Sequence, residues 1–153
     1  MNTSRLLTSL LAAAFTMPAL ADIPASSVPA PVKEQVQKQY PDAKAIEWDF
    51  DNDEDVYEAE FRINGLEYDL KIHPDGTISF SKADIPLRSL PAAVTASIAR
   101  DFPGYTPRRA KQITVRGALK YRVYCRSESA GAVRKLELYY APDGKLLSKE
   151  TDD

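Results

Sequence analysis

Three places in this 153-residue chain carry side chains able to do chemistry. The densest is the acidic run Asp49-Phe50-Asp51-Asn52-Asp53-Glu54-Asp55. Asp49, Asp51, Asp53 and Glu60 fall at the spacing of the first, third, fifth and twelfth positions of an EF-hand loop, and Asp55 adds a further carboxylate. Such a set would supply the oxygen ligands that a hard divalent cation takes. Glu54, however, stands where that loop needs a glycine for its sharp turn, and the flanks read as strands. The run is therefore expected to be a solvated acidic turn first, and a divalent-ion or small-ligand sensor only as the alternative.

A second set alternates along what reads as two strands. Lys120, Arg122, Tyr124 and Arg126 interleave with apolar residues, and Lys135, Glu137 and Tyr139 do the same a few positions on. A period of two puts each set on one face. Tyr and Arg together bring large contact area and directed donors, the combination most enriched at binding hot spots. Arg122, Tyr124, Arg126, Tyr139, Lys120 and Lys135 are thus the candidate partner-binding residues. The corresponding earlier positions, Glu58, Glu60, Arg62, Glu67, Asp69 and Lys71, include no aromatic.

The third set is the pair of classical nucleophile and base types, one Cys and one His. His73 precedes Pro74 at the edge of a turn and reads as solvated. Cys125 lies on the apolar side of a strand and reads as a buried, inert thiol. Nothing else has the spacing of a nucleophile with its base, a metal cluster or a Gly-rich phosphate loop. The sequence predicts a protein that is not an enzyme and carries no cofactor.

The elements that position these residues are spelled out twice. Ser27-Val28-Pro29-Ala30 with Val32, Val36 and Tyr40-Pro41 returns 62 residues later as Ser89-Leu90-Pro91-Ala92 with Val94, Ile98 and Phe102-Pro103. Pro74-Asp75-Gly76 likewise returns as Pro142-Asp143-Gly144. Apolar residues every four positions predict a short helix in each copy, with Ser27 and Ser89 as N-caps and the later prolines as stops. The period then changes to two. Tyr57, Ala59, Phe61 and Ile63, an Asn64-Gly65 turn, and Leu66, Tyr68, Leu70 and Ile72 predict a tight hairpin. Strands over Ala45–Phe50 and Thr77–Ser81 complete the first unit. In the second, Tyr121, Val123, Cys125, Leu136, Leu138 and Tyr140 are expected to face inward, with Ile113 and Val115 before them and Leu146 after. A Gly-containing loop over Ser127–Ala132 replaces the tight turn. The fold class is α+β: two tandem α-β-β-β-β units, each a short helix on a four-stranded antiparallel sheet.

Residues 1–21 read as an export signal, with Arg5, a short apolar stretch and a cleavable Ala19-Leu20-Ala21, and no later segment is apolar enough to span a membrane. A periplasmic protein is expected. The lone cysteine rules out an intramolecular disulfide. Residues 22–87 hold 15 acidic and 6 basic side chains, whereas residues 88–153 hold 7 acidic and 13 basic. The first repeat is acidic and the second basic, an asymmetry that points to interaction surfaces. The expected partner is an acidic protein or an anionic envelope polymer. Export argues against nucleic acid, and opposite signs on the two repeats also allow self-association.

The order of helix, Tyr-Pro or Phe-Pro stop, Ile46-Glu47-Trp48 strand, Tyr57-to-Phe61 strand, Asn-Gly turn and Asp-Gly turn resembles the PepSY-like family of bacterial periplasmic proteins. That family is similar in fold to the secreted β-lactamase inhibitor protein. The resemblance implies tandem helix-on-sheet repeats, no transferable catalytic motif, and protein binding as the expected role, inhibition of another envelope protein included. The second repeat departs from the pattern in lacking a counterpart to Trp48.

Overall fold

The computed structural model describes residues 22–129 and 131–152; the export signal read in residues 1–21 lies outside them. Two helices, α1 (Ala30–Gln39) and α2 (Ala92–Asp101), each precede four strands. These are β1 (Lys44–Asp51), β2 (Val56–Ile63), β3 (Leu66–Ile72) and β4 (Ile78–Ile85), then β5 (Thr106–Val115), β6 (Ala118–Ser129), β7 (Ala132–Tyr140) and β8 (Leu146–Asp152). Every neighbouring pair is antiparallel, and the strands lie in chain order from β1 to β8. The repeats therefore share one eight-stranded sheet instead of holding a four-stranded sheet each. The join is the β4–β5 ladder, which runs from Phe80↔Val115 to Ile85↔Ala110. Among the described residues no helix is long and apolar enough to cross a membrane.

Both helices cover the same face. Val32 and Val36 of α1 pack on Trp48, Ala59, Phe61, Leu70 and Ile72. Val94 and Ile98 of α2 pack on Ala110, Tyr121, Val123, Cys125, Leu136, Leu138 and Tyr140. Trp48 is buried opposite the small Ala59, while the second repeat places Ala110 opposite the bulkier Val123. The same layer is filled with the large side chain on the other strand. Cys125 is buried as expected, and burial pushes its thiol pKa up to about 11, which keeps it protonated and unreactive.

Several local expectations are corrected. Ser27 and Ser89 are not N-caps; they close short 3-10 turns, Ala25–Ser27 and Leu87–Ser89, and Pro29 and Pro91 occupy the cap positions. A proline forces the residue before it into extended backbone, so Val28 and Leu90 cannot be helical. Ser127 to Ser129 and Ala132 are strand and not loop. The β6–β7 ladder continues through Ser127↔Arg134 to Ser129↔Ala132, which makes this a long hairpin. Ile113 and Val115 do not face the helix. Ala110 takes that side, so Ile113 pairs with Lys120 on the other, where it is nonetheless buried, and Val115 is 40% exposed. Leu146 is also exposed.

Candidate functional site

The face that no helix covers carries nearly all the strand charge, and the register arranges it in rungs. From the second repeat, Arg109, Tyr124, Glu137 and Glu150 line up across β5 to β8 on one rung. The next holds Lys111, Arg122, Tyr139 and Ser148. Directly opposite, diagonal and alternate same-strand residues on such a face are all within reach of long and aromatic side chains. Here they stack: Arg109 lies 4.7 Å from the Tyr124 ring centre, Arg122 4.8 Å from Tyr124 and 5.6 Å from Tyr139, and Lys120 5.4 Å from Tyr139. Cation and ring alternate through five residues, each contact drawing on the negative face of the ring.

Glu137 holds this ladder together. It pairs with the Arg122 guanidinium and accepts a 2.9 Å hydrogen bond from the Tyr139 hydroxyl. Burial, and then that bond, push the Tyr139 pKa up to about 12, so the hydroxyl stays protonated and donating. Arg122 is half-buried and its Nε has no hydrogen-bond partner among the described residues. Of the six candidate residues, Arg122, Tyr124, Tyr139 and Lys120 thus form one stacked unit. Arg126 and Lys135 stand opposite each other at the end of the same face, both exposed, with Arg126 also 2.9 Å from Glu128. Arg109 is the member that period-two reasoning missed. A bulge between Pro107 and Arg109 breaks the alternation of β5. The 62-residue repeat offset, which sets Arg109 against Glu47, is the signal that would have placed it.

The acidic half of the face is organised around lysines. Lys71 reaches Glu54 at 2.7 Å, Glu58 at 3.2 Å and Asp51 at 3.7 Å, and Lys82 reaches Asp69 at 2.6 Å. Across the repeat junction Lys111 binds Asp84 at 2.8 Å and Glu67 at 3.7 Å. The opposite charges of the two repeats therefore meet within one molecule.

Of the alternative ion-site residues, Asp51 caps the acidic turn. Its Oδ1 accepts the backbone N–H groups of Asp53 at 2.9 Å and Glu54 at 3.1 Å, and these bonds with Lys71 lower its pKa. Asp49 and Glu60 sit on the strands, facing Glu58 and Glu47 respectively. Asp53 and Asp55 are exposed in the turn. Among the described residues no three His, Cys, Asp or Glu side chains are placed to hold a metal ion. His73 uses its backbone N–H to close the Pro74 turn on Thr77.

Asp49 is the strained member. Burial first, then the carboxylates of Asp22, Glu58 and Glu47, raise its pKa, and its Oδ1 has no partner among the described residues. A carboxyl pKa higher in the folded than in the unfolded state costs stability at neutral pH, and the cost vanishes as pH falls through the folded value. Asp49→Asn is therefore expected to raise Tm by ~1–3 °C at pH 7 and to leave it unchanged at pH 3, read by thermal melts at both.

The chain matches twice the family described as beta-lactamase-inhibitor-like and PepSY-like, over residues 19–80 and again over 77–148. Three solved structures share the fold. A DUF2874 family protein from Bacteroides uniformis is 21% identical with a TM-score of 0.62, over 80% of this chain and 88% of that one. A protein described as periplasmic from Bacteroides eggerthii is 22% identical with a TM-score of 0.64, over 81% and 88%. A BLIP-like protein from Bacteroides fragilis is 19% identical with a TM-score of 0.60, over 80% and 86%. No curated protein matches the chain.

Proposed function

We propose that this chain, which belongs to the PepSY-like, beta-lactamase-inhibitor-like family, is an exported, non-enzymatic binding module that grips an acidic partner in the periplasm with the open face of its second repeat. The observation that carries this reading is the ladder Arg109–Tyr124–Arg122–Tyr139–Lys120 pinned by Glu137. Long cationic side chains lose much rotamer entropy when a partner immobilises them. Stacking between rings orders these in advance, so less is lost on binding. The family description and the BLIP-like neighbour support a role as modulator of another envelope protein, and the neighbour described as periplasmic supports the compartment.

The test is capture from envelope extract by the chain from Asp22 onward, with and without calcium, against Arg122→Glu/Tyr124→Ala/Arg126→Glu. A partner is expected to be retained by the wild type and reduced at least about tenfold by the variant. Arg122→Glu leaves Glu137 facing another carboxylate, so Lys120→Glu/Tyr124→Ala, which keeps that ion pair, serves as the second variant. Equal retention by all three proteins overturns the proposal.

A further inference from the structure

Bulges in β1 and β5 sit at equivalent places in the two repeats, and beside each the surface is hollowed. The hollows differ in sign. The first, of about 620 Å³, is walled by Glu47, Glu60, Glu67 and Asp69 against Lys44 and Arg62. The second, of about 320 Å³, has Arg108, Arg109, Arg126 and Lys135 on its walls beside Tyr124, with Glu137 its one carboxylate. That carboxylate is already engaged by Arg122 and the Tyr139 hydroxyl. Arg108 and Arg109 are exposed and form no ion pair among the described residues. Arg126 stands directly opposite Lys135 in the ladder, with Glu128 on Arg126 and Asp152 opposite Lys135 on the next strand. Cations gathered around a concave space focus a positive potential into it.

We propose that this hollow is an anion subsite, and that it receives a carboxylate side chain from an acidic peptide segment of the partner. The proposal rests on the binding-module reading and names what that face holds. Arg108 and Arg109 supply planar guanidinium donors suited to a carboxylate, and Tyr124, stacked under Arg109, holds one of them in place. A discrete acidic residue fits better than a continuous polyanion. Glu137 lines the hollow, Glu150 lies opposite Glu137, and Glu128 sits on Arg126, so a uniform chain of negative charge laid across the hollow would meet carboxylates beside it.

The experiment is an amide-resolved NMR titration of the chain from Asp22 onward with the peptide Ser-Gly-Glu-Gly-Ser-Glu, its Gln-for-Glu counterpart, inorganic phosphate and heparin. The Glu peptide is expected to move the amides of Arg109, Tyr124 and Arg126, and the Gln peptide to move none. Arg108 lines the hollow but is not in the ladder, and Arg108→Gln is expected to weaken the Glu peptide about fivefold to tenfold with an unchanged melt, the effect of losing a charge-assisted hydrogen bond. An unaltered affinity in that variant overturns the subsite. So does phosphate or heparin moving the same amides at lower concentration than the peptide. The variant leaves the whole ladder from Arg109 to Lys120 in place, so the two readings fail separately. A captured partner lost only by the ladder variants overturns the subsite and leaves the binding face standing. Peptide bound in the hollow with no captured partner supports the subsite and overturns the binding-module reading.

Discussion

Gly144→Ala is expected to lower Tm by roughly 10 °C, far more than Gly65→Ala, although both glycines have positive φ, +86° and +79°. An L side chain in that backbone region costs about 1–2 kcal/mol, and this part is common to both sites. The difference lies in what the new methyl meets. At Gly65 there is nothing within 4 Å. At Gly144 a Cβ would stand 2.5 Å from the Ala93 carbonyl oxygen and 2.9 Å from Ser97 Oγ, so the Asp-Gly turn would have to leave α2. Ser97 is buried and donates a 2.8 Å hydrogen bond to the Gly144 carbonyl, which would be strained or lost at about 1–3 kcal/mol. The first repeat uses the same device: a Cβ on Gly76 would stand 2.9 Å from the Pro31 carbonyl oxygen. Both Asp-Gly turns are thus clamped under the first turn of a helix, which gives each repeat a fixed helix-to-sheet distance. Thermal melts of the two alanine variants decide the matter; similar Tm values for Gly144→Ala and Gly65→Ala would sink the clamp.

What could be read in the sequence was what depends on near neighbours. The four-residue stripes of Val32 and Val36, and of Val94 and Ile98, need only the geometry of a helix, and all four are buried against the sheet. The Tyr57-to-Ile72 hairpin needs only alternation and an Asn-Gly turn, and its ladder runs from Tyr57↔Ile72 to Ile63↔Leu66. The stacking of Arg122, Tyr124, Tyr139 and Lys120 was within reach for the same reason, because a period of two puts them on one side. Contacts between distant segments were not. Nothing local in Ile78–Ile85 says that its free edge pairs with Thr106–Val115, and this join makes the sheet continuous. Bulges were equally silent, and the one before Arg109 hid both the end of the ladder and the hollow beside it. Ile113 and Val115 look like helix-facing residues until Ala110 takes that side; Ile113 is buried on the other face, and Val115 is exposed.

That continuous sheet makes a specific demand on how the molecule unfolds. Trp48→Ala removes the largest side chain of the first core and is expected to cost about 3–5 kcal/mol, a large share of the stability of a small domain. If the repeats were separate domains, the second would keep its structure while the first melted. The interface argues otherwise. The β4–β5 ladder spans six residue pairs, Lys111 of the second repeat binds Asp84 and Glu67 of the first, and Ile85 at the end of β4 packs into the second core. Each repeat alone would hold about 65 residues, a size at which a core is marginal. Unfolding β1 to β4 would strip the β5 edge and remove Ile85 from its cluster. The second repeat should therefore fall with the first. Trp48→Ala is expected to shift one cooperative transition to lower temperature, with amide-exchange protection lost together in β2–β3 and β6–β7. Retained protection in Tyr121–Cys125 and Leu136–Tyr140 while β2 and β3 exchange freely would make the repeats independent folding units. The same coupling carries to the binding face. Arg109 and Lys111 stand on β5, which hydrogen-bonds to β4 on one side and β6 on the other, so the ladder keeps its spacing only while the acidic repeat holds that strand in line.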